Sequence, residues 1–303
     1  MKVSNGLLLA LTILVVLSGL VFLEVHSIPN TIASESRIRV IASFFPLYDF
    51  ARNVAGDRAE VGVLVPLSME VHDWEPVAED VVKLKTARVF IFNGGGLEPW
   101  VGNVLTQAAN PNLLVVDMSR DIALLPDESG RWDTHTWLDP SIAKIQVLRI
   151  RDALAEVDPE NAAIYFENAR SYIEKLSVLD ARIGSELAVF QKKEFIVYHK
   201  AFSYFASRYG LTQIPILGTD PEQEPSAAQI ANVVRTALTK NIKVVYTESA
   251  ADFRLAGAIA DEIDGKVLTL DPIERVSEND YVVGVDYLYL MSQNLANLKE
   301  GLS

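Results

Sequence analysis

Three of the chain's four histidines stand in settings that suit metal binding. His72 lies in "VHDWEP", just after an apolar run. His135 lies in "DTHTWLDP", and His199 closes "EFIVYH". Each sits beyond the carboxyl end of a predicted strand, where ligand sites form in parallel α/β sheets. Separations of 63 and 64 residues rule out a local chelate of the zinc-finger or H-E-x-x-H kind, so the fold itself must assemble any shared site. Neutral imidazoles favour zinc and related transition metals, and a carboxylate in the set makes room for harder ions such as manganese. Two acids compete for the fourth place: Asp271 after "KVLTL" and Glu248 after "IKVVYT", with Asp271 preferred. Three imidazoles and one carboxylate form a closed tetrahedron, which binds rather than catalyses.

Neighbouring residues have expected supporting roles. Trp74 and Trp137 each stand two residues beyond a candidate ligand and can line the cleft or serve as core aromatics. Asp133 is placed to accept an imidazole N–H or to remain solvated, and Asp139 reads as a helix N-cap. "NGGGLEPW", residues 93–100, lacks the spacing and the lysine of a phosphate loop and reads as a tight turn.

The elements that must carry these residues form an α/β pattern. "IRVIASF", "AEVGVLV", "RVFIFN" and "NLLVVDMS" read as strands, separated by helical segments that include "PLYDFARNVAG" and "PVAEDVVKLKTA", the latter with Pro76 at its first position. The series begins again at "EFIVYH", with a capping-box start at Ser226 and Gln229 and a closing helix from about Tyr281 to Leu302. Between the two series, Pro140 to about Phe190 is helical and divides at Asp158-Pro159, each part opening with Asp-Pro. In its second part Tyr165, Ala169, Tyr172, Leu176, Leu179, Ile183, Leu187 and Phe190 recur at helical spacing. That is a rod of roughly 45 Å at 1.5 Å per residue, long enough to lie across both lobes.

The expected fold class is therefore α/β, with two Rossmann-like lobes of parallel sheet joined by one long helix. Residues 1–36 are expected to be an N-terminal signal or membrane anchor plus tether, since "GLLLALTILVVLSGLVFL" is almost uninterruptedly apolar. Residues 37–157 form the first lobe, 158–190 the connecting helix and 191–303 the second lobe. There is no cysteine, which excludes disulfides, thiolate metal sites and a lipidated cysteine. A net charge of -13 argues against nucleic-acid binding and tolerates cations.

Several blocks, in order, resemble the metal-specific solute-binding proteins of ABC importers that take up zinc and manganese: "ASFFPLYDFARNVAGD", "VHDWEPVAEDVVKLKTARVFIFNGGGLEPW", "HTWLDP", "VYHKAFSYFASRYGL", "EPSAAQIANVV" and "LDP". The resemblance implies a metal buried between two lobes and delivered to a membrane permease. By it, His72, His135 and His199 match the first three ligand positions and Asp271 the fourth. A histidine at 199, where manganese-type members often have glutamate, favours Zn2+ over Mn2+ as the transported ligand. The protein is expected to be a non-enzymatic, extracytoplasmic monomer, associated with the membrane through its N-terminus, whose partners are the divalent ion and an ABC transporter permease. The competing classes are a zinc hydrolase using the three histidines and a surface adhesin. The first is disfavoured by the fourth ligand and by the lack of a G-x-S-x-G motif, and the second leaves the histidines unexplained.

Overall fold

The structure is a computed structural model that describes residues 37–127, 130–219, 224–248 and 253–303. The apolar N-terminal segment and its tether lie outside the described residues. Among the described residues no helix is long and apolar enough to cross a membrane.

The first lobe is a four-stranded parallel sheet in the order β2-β1-β3-β4, with β1 Ile38–Ala42, β2 Ala59–Val63, β3 Val89–Phe92 and β4 Leu114–Asp117. The second repeats that order as β6-β5-β7-β8, with β5 Glu194–Val197, β6 Thr212–Pro215, β7 Val244–Thr247 and β8 Lys266–Thr269. The central strands are apolar along their length because helices cover both faces: Val89, Phe90 and Ile91 are buried, as are Val244, Val245 and Tyr246. In each sheet β1 or β5 is central and all strands run the same way, so the loops at their carboxyl ends gather along one rim.

Helix α1, Phe45–Ala55, has Pro46 in its first turn and buries Phe45, Leu47, Phe50, Ala51 and Val54. Helix α2 is Ala78–Thr86, so Pro76 precedes the helix instead of opening it. The start is set by Asp80, whose carboxylate accepts the Val77 N–H at 3.0 Å, a contact a helix beginning at Pro76 would not offer. Helix α3 is Val101–Ala108. Helix α4, Pro140–Val157, begins as expected, with Asp139 accepting the Ser141 N–H at 2.7 Å. The second Asp-Pro behaves differently, because Asp158 spends its carboxylate on Asn161 and on the Tyr165 hydroxyl, and Pro159–Asn161 is a 3-10 turn. Helix α5 then runs Ala162–Ala188, about 40 Å at 1.5 Å per residue. Its buried stripe is Tyr165, Ala169, Tyr172, Leu176, Leu179, Asp180, Ile183 and Leu187, and Phe190 lies beyond its end.

One apolar core contains the stripe's residues other than Asp180, together with residues of both sheets, from Val40 and Phe90 to Phe195 and Tyr246. A smaller cluster around Ile196, Val233, Val245 and Ile259 fills the other face of the second sheet. Helices α6 Ser203–Tyr209, α7 Ala227–Lys240 and α8 Phe253–Glu262 complete that lobe, α7 starting with the Ser226–Gln229 capping box. The closing helix is two: α9 Glu278–Val282 and α10 Tyr287–Leu302. Gly284 at φ +98° breaks the chain between them, and Asp286 restarts it by accepting the Tyr289 N–H at 2.8 Å.

Candidate metal centre

His72 rides an irregular loop between β2 and α2. Buried Val71 anchors it, and the Glu70 carboxylate accepts the Val71 N–H at 2.9 Å. His135 is set by Asp133, whose Oδ1 accepts both the His135 backbone N–H at 3.0 Å and the ring Nδ1–H at 2.8 Å. Asp133 is itself held in place: the Tyr204 hydroxyl donates to its carbonyl at 2.7 Å. Asn93 Nδ2 donates to the Thr134 carbonyl at 2.8 Å. His199 follows β5, and Glu248, just past β7, accepts its backbone N–H at 3.2 Å and its ring Nδ1–H. Two imidazoles are thus oriented by outer carboxylates that take Nδ1–H and leave Nε2 pointing at a common centre.

The fourth side chain at that centre is Glu274. Its Oε1 lies 3.1 Å from His135 Nε2, 3.4 Å from His72 Nε2 and 3.8 Å from His199 Nε2. His135 Nε2 and His199 Nε2 are 3.1 Å apart. One ring nitrogen or carboxylate oxygen from each of the four residues could ligate an ion, and these atoms all lie within 4.8 Å of one another. A tetrahedral ion bound at ~2.0–2.1 Å requires ligand atoms about 3.3–3.4 Å apart, close to the separations of 3.1 to 3.8 Å that Glu274 makes with the three rings and that His135 makes with His199. With both Nδ1–H groups donated outward, the two Nε2 atoms face each other, an arrangement that needs a proton or a metal cation between them.

The electrostatics follow from this crowding. Burial alone would raise the Glu274 carboxyl, yet the imidazoles around it hold it well below the usual carboxylate range. Burial would lower His135, but Asp133 and Glu274 push it up to about 10. His199 is raised against the effect of burial by Glu248 and Glu274. Glu70, whose carboxyl faces Glu274, is pushed up to about 8 by burial and by that neighbouring charge. Without an ion, then, this pocket retains protons that a dication would displace.

Of the residues singled out by sequence, His72, His135 and His199 come together, whereas Asp271 lies outside the group. Its Oδ1 accepts the Ile273 N–H at 2.6 Å, and its backbone is pinned by Asn294 through two hydrogen bonds of 2.8 and 2.7 Å. The resulting turn carries Ile273 at φ +60° and swings Glu274, three residues on, into the centre. Burial pushes the Asp271 carboxyl up to about 7, as expected of a group that faces no imidazole. Glu248 supports His199 from outside the cluster. Sequence reasoning missed Glu274, for which the available signal was a second acid in the same post-strand loop.

Trp137 is fully buried, its ring 5.2 Å from that of His135. Its Nε1–H donates to the Pro272 carbonyl at 2.7 Å and its own carbonyl accepts from the Tyr287 hydroxyl at 2.6 Å, so it joins the two ligand-bearing loops. Trp74 packs edge-on against Trp100 at 5.0 Å, as a core aromatic. In the glycine turn, Gly94, Gly95 and Gly96 all have positive φ, and buried Glu98 accepts the Asn93 and Gly94 N–H groups at 2.8 and 3.0 Å. An inward carboxylate occupies the donors that a phosphate would need.

The sequence model of the family described as "Zinc-uptake complex component A periplasmic" matches residues 40–301. The chain is 34% identical over 280 residues to the high-affinity zinc uptake system protein ZnuA of Bacillus subtilis, covering 88% of each. It is 32% identical over 298 residues to the zinc-binding lipoprotein AdcA of Streptococcus pneumoniae, covering 94% of this chain but only 60% of that protein. Among solved structures, the Zn(II)-bound ZnuA-like domain of Streptococcus pneumoniae AdcA superposes with a TM-score of 0.79 at 34% identity, over 88% of this chain and 99% of that one.

Proposed function

The chain belongs to the family of zinc-uptake complex component A, and from that premise we propose that it captures Zn2+ outside the cytoplasm and delivers it to the permease of an ABC importer. His72, His135, His199 and Glu274 hold the ion. The observation that carries this reading is the convergence of three Nε2 atoms and one carboxylate oxygen at tetrahedral-edge spacing in a buried pocket. Three neutral nitrogens and one oxygen suit zinc better than manganese, which prefers a larger oxygen-rich set. Four protein ligands leave no position for an activated water, so the geometry supports binding and transfer instead of hydrolysis. Asp133 and Glu248 raise the basicity of the imidazoles they orient and offset the charge of the ion. All four ligands come from one chain, which supports action as a monomer.

The test is a metal titration of the stripped protein with Zn2+ and Mn2+, run beside His72→Ala, His135→Ala and His199→Ala. One-to-one zinc binding, tighter than manganese and weakened in all three variants, is the expected outcome. Undiminished affinity in the His135 and His199 variants would refute the site.

A further inference from the structure

We infer that the ion enters and leaves through the cavity in front of His72, which makes His72 the first ligand met on the way in and the last released. This inference rests on the metal-binding reading above.

The ligands are graded in exposure. The side chains of His135 and His199 are 0% exposed and that of Glu274 is 1%, whereas His72 is 14% exposed. Behind His135 stand buried Trp137 and Asp133, and Glu248 stands behind His199. The exposed side of His72 opens into a cavity of about 440 Å³ walled by Asp73, Gly95, Trp132, Thr134 and Thr219. A larger cavity, of about 930 Å³ beside Tyr48 and Tyr281, touches none of the four ligands.

The wall chemistry suits a hydrated cation. It offers the Asp73 carboxylate, the hydroxyls of Thr134 and Thr219, and a glycine turn with no side chains to obstruct passage. Among the described residues the one cationic side chain in the wall, Arg131, is paired with Asp127 at 3.3 Å, so its charge is offset. Both lobes frame the opening: Thr219, just past β6, donates to Asp127 at 3.2 Å and receives Arg131 at 3.5 Å. All three histidines sit in irregular segments, but among the described residues an outer carboxylate takes Nδ1–H of His135 and His199 only.

The natural absence of cysteine allows a direct test. Thr219→Cys and Trp132→Cys each place a single thiol on the wall of the cavity. Val178→Cys, on the exposed face of α5, places one far from it as a control. Each full-length variant is capped either with iodoacetamide or with a bulky polyethylene-glycol maleimide. Zinc uptake and release are followed by stopped flow against a fluorescent chelator, and affinity by equilibrium competition.

Relative to the small cap, the bulky cap at either position should slow uptake and release together by about tenfold, the effect of ~1.4 kcal/mol of added barrier, leaving Kd within about twofold. The bulky cap at position 178 should change neither rate. Equal rates under both caps at positions 219 and 132, with zinc still bound, would overturn the route and leave the metal-binding reading intact. So would a change in Kd carried by one rate alone. Failure of the unmodified protein to bind zinc at all would overturn both.

Discussion

Replacing Glu274 by glutamine tests the assignment of the fourth ligand most sharply when it is paired with Asp271→Asn. Glu274 is 2% exposed, and its Oε1 stands 3.1 to 3.8 Å from three imidazole nitrogens. Glutamine keeps the shape but removes the only anionic ligand, leaving a dication facing three neutral rings. Removing one partner from a buried charge pair costs about 3–5 kcal/mol. At about 1.4 kcal/mol per decade, that predicts a loss of zinc affinity of roughly two to three and a half orders of magnitude. Asp271→Asn should do far less, because an amide oxygen still accepts the Ile273 N–H and preserves the turn. A change within about threefold, under ~0.7 kcal/mol, is expected. Competition against a chelating dye measures both constants, and thermal melts of the zinc-free proteins check that each variant folds. The reasoning fails if Asp271→Asn weakens zinc as much as Glu274→Gln, or if Glu274→Gln binds within about threefold of the parent.

Asp133→Asn should lower zinc affinity by about 10- to 100-fold while leaving one-to-one stoichiometry, since it loosens the orientation of His135 without removing a ligand; the same titration checks it. Asp49, buried against the Tyr172 and Tyr281 hydroxyls at 2.9 and 3.2 Å, is pushed by burial from 3.8 up to about 6. The folded state therefore holds this proton more tightly than the unfolded chain does. The associated stability is fully present below pH 3.8 and is lost as pH rises through about 6. Urea unfolding of the zinc-free protein should accordingly show a pH-dependent loss of about 3 kcal/mol across that window that Asp49→Asn abolishes. Parallel curves for the two proteins would remove Asp49 from the account.

The parts of the fold legible in the sequence were those governed by burial. Strands such as "VFIF" and "EFIV" are apolar because both faces are covered, and the stripe from Tyr165 to Leu187 keeps its period because one face of α5 packs on the core. The histidines were conspicuous through scarcity and through their places after strands. Local hydrogen bonding was harder to read. Pro76 resembles a helix start, yet the Asp80 carboxylate, by taking the Val77 N–H, makes Val77 the N-cap and starts the helix two residues later, at Ala78. Asp158 resembles a cap, yet the Tyr165 hydroxyl claims its oxygen. The sequence sets Asp271 against Glu248 and does not offer Glu274, whose approach to the histidines turns on the φ of +60° at Ile273, a left-handed angle that a β-branched residue rarely adopts. It is maintained by a fully buried side chain and by the Asp271 hydrogen bond, neither of which spacing reveals.

Asp180, about two thirds of the way along α5, accepts hydrogen bonds from Lys144 of α4 at 3.1 Å, Arg208 of α6 at 2.8 and 2.6 Å and Tyr209 of α6 at 2.9 Å, while Arg208 also reaches Asp139 at 3.3 Å. One carboxylate therefore rivets three helices drawn from both halves of the molecule. A joint of this kind acts as a weld, and the partly exposed, irregular stretch bearing His72 is, among the described residues, the one ligand-bearing segment not held behind a wall of buried side chains. Cargo exchange by this architecture is accordingly expected to ask more of one finger than of the palm beneath it.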